Sequence, residues 1–121
     1  MLPEIWQKEI INIDKEVDWV EETSKQLIKD FTMLGISIEL KPFINDPYKG
    51  LFGMAKQIIT QLFEKDHARF LDLLYRIDLP ETELNNLIHT TSPPELYDKI
   101  TELILRREFL KVVTRYKYMD Y

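Results

Sequence analysis

An all-α bundle of five helices, or six, with long helices at both ends is the fold this sequence predicts, on three observations. Apolar residues recur at helical spacing through most of the chain. Proline and glycine stand where helices start and stop. Only one short segment alternates apolar and polar residues as a half-buried strand does. A length of 121 residues with 45% hydrophobic content suffices for one continuous core, so residues 1–121 are expected to form a single domain.

The first helix is read from Trp6, Ile10, Ile13, Val17, Val20, Ser24, Leu27, Phe31 and Leu34, which follow one another at spacings of four and three. That is a heptad seam, and no Gly or Pro interrupts it between Glu4 and Leu34. One helix over that span would be about 45 Å long. Trp19 falls opposite the seam, which requires either a second partner surface or a break near Asp14 or Asp18 that rotates the two halves. The unbroken helix is the expectation, because neither Asp is accompanied by Gly or Pro. Gly35 ends it in the left-handed C′ conformation, with Ile36 folding back as the apolar partner of that motif.

Residues 36–41, Ile-Ser-Ile-Glu-Leu-Lys, alternate like a strand. The chain offers no second good strand, so an extended connector with its isoleucines on the bundle is expected, a strand paired across a dimer being the alternative. Asp46-Pro47 opens the next helix as N-cap and N1, with Leu51, Ala55, Ile58 and Leu62 as its apolar row. Gly50 and Gly53 in that helix suggest close backbone approach to a neighbour. Asp66 caps a helix running to about Ile77. Asp78-Leu79-Pro80-Glu81 starts a short one ending by His89 or Thr90, with Asp78 as cap. Ser92-Pro93-Pro94-Glu95 reads as a capping box for the last helix, which extends to about Tyr118. Its inward face is Leu96, Ile100, Leu103 and Ile104 at first, then Leu105, Phe109, Val112, Val113 and Tyr116, so opposite faces are buried in succession. Such a helix either runs through the middle of the domain or projects to meet another subunit.

The net charge is −5, unevenly spread. Residues 1–34 carry eight acids against four lysines, and residues 103–119 carry Arg106, Arg107, Lys111, Arg115 and Lys117 against Glu108 alone. An acidic first helix and a basic last one attract when laid side by side. Without cysteine, a disulfide framework, zinc-thiolate binding and thiol catalysis are excluded. No basic-then-apolar leader is evident, and no uncharged apolar run approaches the roughly 20 residues of a membrane span. A cytoplasmic protein that does not enter the membrane is the expectation.

Candidate chemistry is thin. Glu64-Lys65-Asp66-His67 is an E-x-x-H of the kind that supplies half of a di-iron centre, but the only other histidine, His89, has Asn86 at the matching position. His89 beside Thr90, Thr91 and Ser92 resembles a base next to hydroxyls, yet Ser92 is engaged as a helix cap in this reading. No catalytic, cofactor-binding or metal-ligating residue is therefore assigned. The candidate binding set is Arg106, Arg107, Lys111, Arg115 and Lys117 with Tyr116 and Tyr118, joined by Trp19 on the back of the first helix. Arg107, Lys111 and Arg115 form a stripe able to meet phosphates or an acidic partner, or to neutralise the acidic first helix internally. A sequence pI near 5.1 disfavours nucleic acid. The function expected is a non-catalytic module that self-associates or binds another protein. Polyanion binding is the alternative, and a small enzyme or metal-binding bundle the more remote one.

Overall fold

The computed structural model describes residues 2–13, 16–39 and 45–118. The described residues hold six helices and no strand: α1 (Glu4–Ile10), α2 (Trp19–Met33), α3 (Pro47–Lys65), α4 (His67–Arg76), α5 (Glu81–Thr90) and α6 (Pro93–Lys117). Helix α6 is the axis. Helices α1, α2, α3 and α5 pack against it, while α4 rests on α3 and α2. The buried apolar side chains form one cluster, from Trp6 to Val113. The all-α bundle and its long last helix are as the sequence predicts.

The single helix read over Glu4–Leu34 is two. Helix α1 stops at Ile10 and turns at Ile11 and Asn12, with the N–H of Ile13 on the carbonyl of Ile10. Asp14 and its neighbour at 15 lie outside the described residues. Asp18 starts α2, its carboxylate accepting from the backbone N–H of Glu21 at 3.0 Å. The physical reason is that periodicity does not register caps: a helix interrupted by a tight turn can resume on nearly the same spacing. Asp18 followed three residues later by Glu21 has the form of a capping box. The break also turns α2. Its buried residues are Trp19, Thr23, Gln26, Leu27, Asp30 and Phe31, whereas the seam residue Ser24 is half-buried with its hydroxyl on the Val20 carbonyl.

Trp19 consequently packs inward. It meets Phe109 and Tyr116 edge-on, with ring centroids 6.0 and 5.4 Å apart, while Trp6 of α1 stacks on Phe109 at 4.2 Å. Two indoles from two short helices thus enclose one phenyl ring of α6.

Gly35 closes α2 as expected. At φ 79° it lets the N–H of Ile36 reach the Phe31 carbonyl and its own N–H reach Thr32, the paired bonds of a Schellman motif. Ile36 and Ile38 then lie against the core in a connector without regular structure, and the remainder of the anticipated strand, 40–41, lies outside the described residues.

Three local expectations are corrected. Gly53 meets no neighbouring atom within 4 Å of where a Cβ would stand, so close approach is not its role. Asp78 does not cap α5. At φ 65° it occupies the C′ position of α4, where the N–H of Leu79 reaches back to the Leu74 carbonyl. An Asp there substitutes for glycine because its short polar side chain tolerates the left-handed region. Ser92 precedes α6, but its hydroxyl makes no capping bond, so Pro93 at N1 carries the start signal.

The buried residues of α6 are Ile100, Thr101, Ile104, Leu105, Glu108, Phe109, Val112 and Val113. These are two adjacent rows stepping by four, which drift about 40° per step because four residues slightly exceed a turn. The stripe therefore winds gradually rather than changing sides, and the helix runs through the bundle with different neighbours along its length.

Candidate interaction groove

The basic stripe comes first, because the sequence points there. Arg107 donates its Nε hydrogen to the Ile77 carbonyl at 2.8 Å and stands 3.8 Å from Asp78, so it satisfies the exposed end of α4. Lys111 Nζ lies 3.0 Å from Asp30. Arg115 donates to the side-chain carbonyl of Gln26 at 3.1 Å. Arg106 approaches Glu9 of α1 at 4.0 Å. Tyr116 packs on Trp19, while Lys117 and Tyr118 are exposed at the end of α6. The stripe thus faces α2, α4 and α1, with its charges turned largely toward acids and carbonyls of the same chain.

The histidines are also engaged locally. Glu64 accepts from the Tyr97 hydroxyl at 3.0 Å, and His67 points its Nδ1 at the Phe63 carbonyl while stacking beside Phe70. His89 and Thr90 turn to the carbonyls of Asn85 and Asn86 in their own helix. Among the described residues, no group of three or more His, Asp or Glu is placed to hold a metal ion.

A well-formed concavity lies elsewhere. A groove of about 740 Å³ runs between α1, the start of α3 and the first half of α6, with Leu87 of α5 at one end. Local sequence places its walls. The Asp46 carboxylate accepts from the N–H of Lys49 at 3.2 Å, and Pro47 fits the first turn, so α3 begins there and carries Tyr48 and Phe52 on successive turns. Tyr48 meets Trp6 edge-on at 5.1 Å and Phe52 at 6.2 Å. Ile5, Leu87 and Leu103 complete the apolar lining.

Charged groups form the rim: Glu4, Asp46, Asp98 and Glu102 against Lys49, Lys99 and Arg106. Asp98 bridges to Lys56 of α3 at 2.7 Å, and Glu102 pairs with Lys99 at 3.4 Å. Burial, aided by the charge of Glu102, pushes the Tyr48 hydroxyl up to about 12, so it remains a neutral hydrogen-bonding group. An aromatic floor with a rim of both signs is suited to apolar recognition oriented by polar edges.

Of the candidate binding set read from the sequence, Arg106 alone lies on this groove. Tyr48, Phe52, Leu87 and Leu103 belong to it without having been candidates. The available signal was the Tyr-and-Phe spacing directly after Asp46-Pro47, which by itself reads as ordinary core. No protein-family model matches the chain, and neither a curated protein nor a solved structure matches it significantly.

Proposed function

We propose that this chain is a non-catalytic interaction module whose groove between α1, α3, α5 and α6 receives an apolar helical segment of a protein partner. The observation that carries the reading is the groove itself, about 740 Å³ with Trp6, Tyr48, Phe52 and Leu103 in its lining. Helix-in-groove recognition uses an apolar floor for affinity and a polar rim for register. Rim charges here are nearly balanced, four acids against three bases, which suits a polypeptide of mixed charge better than a polyanion.

Trp19, on the back of the first helix as read from the sequence, and Val112, in the half of the last helix that could have met another subunit, are buried within one chain. The self-associating form of the reading therefore rests on the groove alone. Binding of a polyanion through Arg107, Lys111 and Arg115 has less support, since each of the three is engaged within the fold. No helix among the described residues is long and apolar enough to cross a membrane.

Peptide display against the immobilised protein, with counter-selection on Phe52→Glu, tests the reading. Enriched sequences are expected to carry apolar residues at i, i+3 or i+4, and i+7, and to lose binding at least tenfold on the variant. Enriched peptides that bind both proteins equally overturn it. Light scattering distinguishes a second copy as occupant: a strict monomer at tens of micromolar leaves a different protein.

A further inference from the structure

Helix α6 carries a carboxyl in the middle of its buried stripe. Glu108 is fully buried in the row that holds Ile104 and Val112, and Asp30 of α2 is 1% exposed. Hydrogen-bond donors are distributed very unevenly between the two. Asp30 accepts from Gln26 Nε2 at 3.1 Å, Arg76 Nε at 3.0 Å and Lys111 Nζ at 3.0 Å. Among the described residues no N–H is directed at either oxygen of Glu108, and Lys111 Nζ stands 3.8 Å off, outside hydrogen-bond reach. Lys111 Nζ stands between the two buried carboxyls, 3.0 Å from Asp30 and 3.8 Å from Glu108, which brings them against each other.

Two ionised carboxylates can only accept, so that contact is repulsive unless one of them carries a proton. The charged groups facing Glu108 are Asp30 from α2, Arg76 from α4 and Lys111 from α6. Arg115 stands beyond them on Gln26. Ionising Glu108 balances the cluster formally, two anions against two cations. The second anion, however, has no donor and no water-facing surface, which is the costly arrangement in an interior.

We propose that Asp30 and Glu108 share one proton, resident on Glu108, and that this proton is the latch that closes α6 on α2. Asp30, with three donors, keeps the negative charge, and the Glu108 O–H completes its shell.

The electrostatics agree with the geometry. Burial, the hydrogen bond to Asp30 and the Asp30 charge push Glu108 up to about 9, with Lys111 and Arg76 opposing. At Asp30 burial acts upward, but the bonds to Glu108, Gln26 and Lys111 outweigh it and hold the carboxyl below its ordinary value. An unfolded Glu ionises near 4.5. Between there and about 9 the folded chain retains a proton that the unfolded chain has lost. Stability from the latch is complete below that window, declines as pH rises through it, and is gone above about 9. The α2–α6 contact is thus tightened by acid and loosened by alkali.

Carbon-detected NMR of the side-chain carboxyls between about pH 5 and 10 tests this directly. The Glu108 Cδ signal is expected at its protonated position at neutral pH and to move to the ionised one near pH 9. A Glu108 signal already ionised at neutral pH overturns the proposal. Urea unfolding of the parent and of Glu108→Gln gives a second reading, since the amide donates to Asp30 at every pH. The unfolding constant of the parent is expected to rise by up to about tenfold per pH unit more than that of the variant. Equal slopes overturn the latch, and if the variant does not fold, the titration of the parent decides.

Discussion

Trp6 of α1 lies nearly flat on Phe109 of α6, the ring centroids 4.2 Å apart and the planes within 10° of parallel. A seven-residue helix has little stability of its own, so this contact, extended by Tyr48, is what holds α1 to the bundle and forms one wall of the groove. Trp6→Ala is expected to lower unfolding free energy by about 3–5 kcal/mol, measured by urea titration. A loss below about 1 kcal/mol contradicts the assigned role.

Arg107 closes the end of α4 rather than reaching outward. Removing it in Arg107→Ala leaves the Ile77 carbonyl without its donor, with an expected loss of about 1–3 kcal/mol in the same assay. Retention on heparin is expected to change little, because the guanidinium is committed to the α4 end. A variant with unchanged stability and sharply reduced heparin retention is the contrary result, favouring an outward-facing stripe.

The left-handed backbone at Asp78 offers a pairwise comparison. Asp78→Gly and Asp78→Ala both remove the long pair with Arg107, which is largely exposed and worth little. Only the alanine must then carry φ 65° with a Cβ. The glycine variant is expected to be the more stable of the two by about 1 kcal/mol. Equal melting temperatures refute the C′ assignment.

Gly53 occupies an exposed position inside α3 with free space around it. Gly53→Ala is therefore expected to stabilise the protein by about 0.5–1 kcal/mol, through helix propensity. Thermal unfolding that shows a decrease instead points to a partner packing on that face.

Asp30 is the anion on which the α2, α4 and α6 donors converge. Asp30→Ala strands Arg76, Lys111 and Glu108 in a mostly buried site and is expected to cost about 3–5 kcal/mol. Its carboxyl is held below the ordinary value, so the folded chain binds this proton less readily than the unfolded one. Stability from Asp30 is full above about 3.8 and declines as pH falls through its lowered folded value. Together with Glu108 this places the pair's greatest contribution in mild acid. Acid unfolding of Asp30→Asn that matches the parent in pH dependence contradicts the assignment.

Helices α3 to α6 were legible to within a residue or two, because Asp46-Pro47, Asp66 and Pro93 mark their starts and apolar rows continue through each. The opening region was misread because its heptad spacing continues across the turn at residues 11–12, and spacing outweighed the Asp18 cap. That choice had a further effect. The seam it rests on leaves out Gln26 and Asp30, whereas α2 buries both and turns them toward α6. The groove was not legible at all, since Trp6, Phe52, Leu87 and Leu103 come from four helices and each has an unremarkable local context.

By itself the sequence determined the helical class, most helix limits and the left-handed turn at Gly35, because caps, propensities and apolar spacing act over a few neighbouring residues. Tertiary structure alone decided that Asp30 meets Lys111 across 81 positions, that Arg107 reaches Ile77 across 30, and that a buried carboxyl faces another. Charges are attracted over several ångströms in any direction, and no spacing along the chain encodes which of many opposite charges will stand within reach once α6 is enclosed.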